Sequence, residues 1–518
     1  MKALLIGVLA SVLPTYTQTA DNWTTYGKNY SGWRYSELGE INSSNVARLA
    51  PRWVFQTGVP GNMETTPLIA DGLMFLTAAS NHAFALDLLT GKPYWHYAKT
   101  PPKVLDLCCG EVNRGFAKIR NKLFKVNIED RLIALDSRSG AVLWDIELGD
   151  YRKGYSGTAA PLGIAEKNLV ITGTAGAEFG IRGFVDAYNA DTGKRVWRFY
   201  TVPEAAERGG ATWGPASAKR VGGSTWITGT YDPELNLIYW GTGNPGPDMN
   251  GDDRPGDNLY TDSIVALDAN TGELKWHYQF TPHDVHDWDA VADPVLTDLT
   301  IAGRTVKALI QANRNGHFYA LDRTSGKLLV AKPYTKISWT TGIGPDARPV
   351  LVPGQDPTEE GNRACPGLGG GHNWQATAFS PRTRLFYFGT TDGCNLFYKS
   401  KHELVAGQWF QLSTADDVKG EPSTGAVVAV DPVTGATKWR YEMVSAPSGG
   451  LLATAGGLVF VGDPQGYLIA LDAVSGKPLW RFQTGAAIVA PPVSYMFQGK
   501  QVIAVAAGSS VFTFGLVP

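Results

Sequence analysis

Short apolar runs alternate with turn residues along nearly the whole chain, and one phrase recurs. Ala, an apolar residue and Asp are followed by Thr or Ser, then Gly, then a Trp four residues after the Gly. Copies run from Ala85-Leu86-Asp87 to Trp95, Ala134-Leu135-Asp136 to Trp144, Ala266-Leu267-Asp268 to Trp276, Ala429 to Trp439 and Ala470 to Trp480. Two degenerate copies, Ala187-Tyr188-Asn189 to Trp197 and Ala320-Leu321-Asp322 to Val330, bring the number to seven. Each phrase sets a turn between two β runs, such as Leu132–Leu135 and Val142–Trp144, which is a hairpin signature. Further apolar runs upstream, Asn168–Thr172 and Leu237–Gly241 among them, give about four strands per unit. Four-stranded units repeated around a ring are propeller blades, with the Trp packed between neighbours.

An eighth unit is split between the two ends of the chain. Trp53–Gly58 matches Trp480–Gly485 at five of six positions, yet no turn phrase precedes Trp53. Its missing strands are expected around Ile488–Ser494, Gln501–Ala507 and Val511–Leu516, and pairing them with the N-terminal strand removes the open sheet edges. Only one phrase falls between Val330 and Trp439, so that stretch is one blade with an insertion. The expected fold is an all-β, eight-bladed propeller formed by residues 21–518 as a single domain.

Composition narrows the function classes. Hydrophobic residues at 43% and charged residues at 18% indicate a folded chain with a large core. A net charge of −2 gives no footing for nucleic acid or an anionic membrane as partner, which favours small molecules. Residues 1–20 read as an export signal: Lys2, an apolar run from Ala3 to Leu13, then Thr17-Gln18-Thr19-Ala20 as a cleavage site. That run is too short to span a bilayer. A periplasmic protein without a membrane span is therefore expected, and its four cysteines lie where disulfides persist. No Cys-x-x-Cys-His occurs, which excludes covalent haem.

Cys108 and Cys109 are adjacent; they are either two buried thiols or a bridge closed through a strained eight-membered ring. Their run, Cys108-Cys109-Gly110-Glu111-Val112-Asn113-Arg114, resembles the PQQ-dependent methanol/ethanol dehydrogenase family, in which a vicinal disulfide covers a flat quinone. The resemblance covers nearly the whole chain and includes several separate motifs. Asp21-Asn22-Trp23 with Tyr35-Ser36 is similar to the family's N-terminal segment. Thr174-Ala175-Gly176-Ala177-Glu178 resembles the run that lies against the cofactor and supplies a metal carboxylate, Glu178. Gly241-Thr242-Gly243-Asn244-Pro245 resembles the run whose Asn binds the same ion, and Trp226 falls at the family's cofactor-stacking indole. Asp287, in Pro282-His283-Asp284-Val285-His286-Asp287, corresponds to the catalytic Asp. Arg314 matches the arginine at the quinone oxygens, and Glu64, Arg114, Thr158, Asn373 and Trp374 match further cofactor contacts. The resemblance also implies a second disulfide between Cys365 and Cys394, stapling the insertion.

These residue types suit that cofactor. PQQ is a planar tricarboxylate quinone that needs cations at its rim and flat groups on its faces; Arg114 and Arg314 offer forked donors and Trp226 an aromatic floor. Glu178, Asn244 and Asp287 are oxygen ligands suited to a hard cation. Asp289, two residues beyond Asp287, is a further candidate ligand: in an extended segment both carboxylates point to one side. Members resembling the lanthanide-dependent branch carry Asp there, and three carboxylates favour a lanthanide(III) ion over Ca2+. The expected activity is oxidation of a small primary alcohol to an aldehyde, with Asp287 as general base and a separate c-type cytochrome as electron acceptor; a homodimer fits equally well. Two departures stand out. Ala175 replaces a serine that bonds the cofactor in many members, and His286 replaces an aromatic residue before the catalytic Asp, where a packing role is expected. A quinoprotein acting on a sugar or polymeric alcohol is the alternative, and a non-enzymatic propeller scaffold has no need of these residues together.

Overall fold

The computed structural model describes residues 22–214, 220–400, 405, 407–409 and 414–517. The expected export signal lies outside them. Among the described residues, eight antiparallel sheets have four strands in a row: residues 68–97, 117–147, 162–200, 230–279, 295–333, 378–443 and 451–483, called sheets 1 to 7, and sheet 8, which joins Leu49–Gln56 to residues 493–516. Sheet 7 also carries Tyr35–Ser36 as a fifth, parallel strand on Leu451–Thr454. No described helix is long and apolar enough to cross a membrane.

The recurring phrase has a local cause. The carboxylate of Asp87 accepts from the backbone N–H groups of Leu89 at 3.1 Å and Thr90 at 2.8 Å and from the Thr90 hydroxyl at 2.7 Å, so the turn is built by the Asp side chain. Asp136 and Asp472 hold Ser139 and Ser475 in the same way, and in the degenerate third copy Asn189 substitutes its amide oxygen. The glycine that follows adopts φ +69° at Gly91 and would bring a β-carbon within 2.5 Å of the Trp53 ring, a close approach that requires glycine.

That approach joins each sheet to the next. The indole N–H of Trp95 donates to Ser137 O at 3.0 Å, Trp197 to Ala269 O at 3.1 Å, Trp276 to Arg323 O at 3.1 Å and Trp439 to Ala473 O at 3.1 Å. Trp144 reaches Ala190 O, Trp480 of sheet 7 reaches Leu49 O of sheet 8, and Trp53 of sheet 8 reaches Leu88 O of sheet 1. Where the fifth copy has Val330, that side chain and Lys332 lie against Gly435 of sheet 6.

Sheet 8 is completed by pairing from Leu49↔Leu516 to Gln56↔Ser510. Its innermost strand is Val493–Phe497, not the expected Ile488–Ser494, because Pro491 and Pro492 have no N–H to give to a ladder. Residues 22–36 cross the inner strands: Trp23 bridges Ile69, and the carbonyls of Tyr30, Ser31, Trp33 and Arg34 accept from Tyr231, Leu296, Phe379 and Ala453 of sheets 4 to 7. Buried Arg34 lies 3.8 Å from Asp293 and donates to Thr66 at 3.0 Å. The insertion before and within sheet 6 forms small ribbons, Asn362–Ala364 with Asn395–Phe397 and Ala415–Asp417, stapled by the Cys365–Cys394 disulfide.

Gly91→Ala is expected to destabilise the protein more than Gly58→Ala. Both positions have φ near +70°, where a side chain costs about 1–2 kcal/mol, but only Gly91 has an indole in the way, which adds about 1–3 kcal/mol of overpacking. Urea unfolding midpoints of the two variants measure the difference; equal losses would show that the indole contact contributes nothing.

Candidate active site

The strand order brings distant residues to one place. Loops that lead into the inner strands carry Glu64 in sheet 1, Arg114 in sheet 2, Thr158 in sheet 3, Trp226 in sheet 4, Asp287 and Asp289 in sheet 5, and Asn373 and Trp374 in sheet 6. Loops between the second and third strands carry Glu178 in sheet 3, Asn244 in sheet 4 and Arg314 in sheet 5. In an antiparallel sheet both kinds of loop emerge at the same end.

Asp289 is the most connected of these groups. One of its oxygens accepts from the Asn244 backbone N–H at 2.7 Å; the other accepts from Trp226 Nε1 at 2.9 Å and Arg314 Nη1 at 3.1 Å. Arg314 uses its second terminal nitrogen on Asp287 at 3.3 Å and on the Leu368 carbonyl at 2.8 Å. One guanidinium therefore faces both carboxylates. The expectation that residues 287–289 are extended does not hold. Asp287 has φ +59°, because the Asp284 carboxylate accepts from His286 N at 3.1 Å and Trp288 N at 2.8 Å and folds the loop back. Convergence of Asp287 and Asp289 comes from this turn and from Arg314, not from strand alternation.

Glu178 is carried by the one-turn 3-10 helix Ala177–Phe179. The loop before it is pinned by two backbone hydrogen bonds between Ala175 and Ser156, and Gly176 at φ +110° leaves no room for a β-carbon, which would fall 2.0 Å from the Gly154 carbonyl. Burial pushes the Glu178 carboxyl up to about 7, with Asp287 and Asp289 adding to the effect and Arg314 opposing it. Burial likewise raises Asp287 and Asp289, again against Arg314. A cation placed among these oxygens would offset that strain.

Beside the carboxylates lies an aromatic and cationic wall. The Arg114 guanidinium is 2.7 Å from Glu64, and its carbon lies 5.0 Å from the ring centre of Trp226 and 5.1 Å from that of Trp374. Thr158 accepts from the Arg114 N–H at 3.1 Å, and its hydroxyl donates to the Trp226 carbonyl at 3.1 Å, so it acts through these two neighbours. Cys108 and Cys109 are bonded to each other, and their sulfurs and a Glu178 oxygen lie within 4.8 Å of one another. Disulfide sulfurs are not thiolate ligands; the pair is a cover over the carboxylate. Segment 368–373 wraps Arg314, with Asn373 Nδ2 donating to Gly369 O at 3.1 Å. Arg114 Nε, Arg314 Nε and Asn373 Oδ1 are buried without a hydrogen-bond partner among the described residues, as fits a site for an acidic, carbonyl-bearing group.

His286 is buried, stacked on Trp288 with ring centres 4.3 Å apart, and hydrogen-bonded through Nε2 to Gln355 O at 3.0 Å. Two residues that sequence reasoning passed over belong to the site. Asp284 builds the turn that aims Asp287; its spacing from the N–H groups of residues 286 and 288 was the available signal. Asp248 accepts from the Asn244 side chain at 2.7 Å, and no sequence spacing announces a contact made by the Pro245-Gly246-Pro247 bend.

With this geometry, comparison with known proteins is direct. The PQQ-type glucose/ethanol/alcohol dehydrogenase β-propeller domain profile matches residues 23–338, and the profile of the outer membrane protein assembly factor BamB matches residues 423–515. The quinoprotein alcohol dehydrogenase PedH of Pseudomonas putida is 38% identical over 93% of this chain and 85% of its own. The lanthanide-dependent methanol dehydrogenase of Methylacidiphilum fumariolicum is 36% identical over 94% of this chain and 84% of its own. Among solved structures, a europium-containing methanol dehydrogenase superposes with a TM-score of 0.89 at 32% identity, covering 96% of this chain and 98% of that one. The quinohemoprotein alcohol dehydrogenase of Comamonas testosteroni gives 0.90 at 34% identity, covering 96% and 80%. The chain is a β-propeller protein that belongs to the PQQ-dependent alcohol dehydrogenase family, whose members oxidise alcohols.

Proposed function

We propose that the protein oxidises a small primary alcohol to an aldehyde at the site bounded by Trp226, Arg114 and the Cys108–Cys109 disulfide, with one metal ion held by Glu178, Asn244, Asp287 and Asp289. The observation that carries this reading is the convergence of half-buried Asp287 and buried Asp289 on the single Arg314 guanidinium, beside Glu178. Bound there, PQQ supplies a two-electron quinone acceptor, and the ion a Lewis acid that polarises its carbonyl. Trp226 would give the ring a flat floor; Arg114 and Arg314 would meet its acidic rim and quinone oxygens; Glu64, Thr158, Asn373, Trp374 and the backbone of Ala175, Gly176 and Ala177 would frame it. Asp287 takes the hydroxyl proton of the alcohol, held in place by the Asp284 turn and by Arg314 at 3.3 Å.

The metal reading favours a lanthanide(III) over Ca2+. Three carboxylates carry more charge than a divalent ion balances, and the Asp289 oxygen that accepts from Asn244 N keeps a second lone pair for an ion. The sheets read as eight blades of one closed ring over residues 21–518, with each indole docked on the next blade. Export to the periplasm by residues 1–20, electron transfer to a separate c-type cytochrome and assembly as a homodimer complete the proposal.

In a dye-linked assay on protein reconstituted with PQQ, La3+ or Ce3+ is expected to support higher turnover than Ca2+, and NAD alone none. Full turnover with NAD and no quinone would overturn the reading. Asp287→Asn should lower kcat by about 10²–10⁴-fold while cofactor binding is retained; wild-type turnover would remove Asp287 from the role of base. Asp289→Ala should reverse the metal preference, and an unchanged preference would show that Asp289 is not a ligand.

Metal uptake should also depend on pH. A carboxyl raised to about 7 in the folded protein must lose its proton to bind an ion, so affinity rises with pH, by about tenfold per unit below 7 from Glu178 alone, and the raised Asp287 and Asp289 add to the rise. By itself the same shift costs the metal-free protein nothing below the ordinary carboxyl range and destabilises it progressively as pH rises to about 7. Metal titrations between about pH 5.5 and 8.5 check the first statement; a flat profile would remove Glu178 from the ligand set.

A further inference from the structure

We infer that Asp248, outside the ligand set proposed above, is a positioning residue for the metal: it fixes which end of the Asn244 amide faces the ion. The inference rests on the metal reading of Glu178, Asn244, Asp287 and Asp289.

The Asn244 side chain has two amide hydrogens. Its nitrogen donates to the Asp248 carboxylate at 2.7 Å and to the Pro245 carbonyl at 3.3 Å. Both donors are thereby used within the bend, and the amide oxygen is the end left for a cation. Turning the amide over would set its oxygen against a carboxylate, acceptor to acceptor, with no screening water, since Asn244 is 3% and Asp248 2% exposed. The bond to Asp248 is charge-assisted and draws electron density toward the amide oxygen, which makes it a better ligand for a hard ion.

The rest of the bend is built to hold Asp248 there. Buried Arg254 donates to the Pro247 carbonyl at 2.9 Å, one residue before Asp248, and to the Asp284 carbonyl at 2.6 Å. A single guanidinium thus ties the segment that carries Asp248 to the loop that carries Asp287. Arg254 spends its other terminal nitrogen on Asn258 at 2.7 Å, and no ion pair of Asp248 within 4.0 Å is present among the described residues.

The test is ion binding by the metal-free protein, read by Eu3+ luminescence and by Ca2+ competition, on wild type, Asp248→Asn, Asn244→Ala and the double variant. Asp248→Asn keeps the shape of the side chain and removes its charge. It is expected to weaken Eu3+ binding by about 10–100-fold, the range for a partner that orients a metal ligand. In the Asn244→Ala background the cost of Asp248→Asn should shrink, because the part that acts through the amide is already gone. The melting temperature of the metal-free Asp248→Asn variant should not fall, whereas a merely structural role would lower it. Unchanged Eu3+ affinity or full additivity with Asn244→Ala would overturn the inference while leaving the metal site intact. Failure of the wild type to bind either ion would instead overturn the metal reading, and this inference with it.

Discussion

The strand of residues 49–56 has no partner near it in sequence; its hydrogen bonds go to residues 510–516, so the first long strand is completed by the last one. Everything at the centre depends on that pairing. Every sheet but the fifth, which has Val330 in its place, presents an indole to the next, and the pairing lets the contact continue from Trp480 through Leu49 to Trp53 and Leu88. A succession of sheets that returns to its start has a fixed circumference. Loops at one end of its inner strands must then face one another, and six sheets contribute residues to the site without any of them being close in sequence.

What those loops bring together is costly in itself. Glu178, Asp248, Asp287 and Asp289 are held where burial raises the protonation of each and neighbouring carboxyls add to it, and one guanidinium, Arg314, meets two of them. A fold selected only for stability would place apolar groups there. Here the acids sit on loops whose backbone is over-determined: the Asp284 turn, the Ala175–Ser156 bridge and the Arg254 ties across two loops. Rigid support of this kind keeps oxygens apart by a set distance rather than letting them separate, which is what a binding site for a small cation requires.

Much of this was legible in the sequence, and the gaps have physical reasons. The turn phrase is local chemistry: Asp87 caps its own turn and Gly91 makes room for an indole, so periodicity alone exposes it. The boundary at Val493 was misplaced because an apolar run was weighed without its prolines, which supply no N–H. Asp287 and Asp289 were singled out together, but the geometry assumed for them was wrong; the side chain of Asp284 overrides strand alternation with a turn. Asp248 could not be found at all from spacing. Its contact with Asn244 depends on the direction a Pro-Gly-Pro bend takes in space, and one-dimensional patterns carry no such information. His286 was read as a packing residue, and it lies stacked against Trp288.

The split of sheet 8 between the two ends of the chain also governs the order in which the molecule can be made. During synthesis the strand at residues 49–56 emerges early and waits for a partner some 460 residues later. Closing so long a loop costs little more than closing one of half its length, because the entropy grows only with the logarithm of chain length; the delay is one of time. Until the last strand arrives, the apolar faces of sheets 7 and 1 that pack on sheet 8 lack part of their cover, and the indole of Trp480 has no carbonyl at Leu49 to reach in its final place. Without Ser510–Leu516, the strands Leu49–Gln56 and Lys500–Ala507 each keep an unpaired edge, which is the feature that aggregating partners recognise. Completeness of the polypeptide is in this way checked by the fold itself, before any ligand is involved.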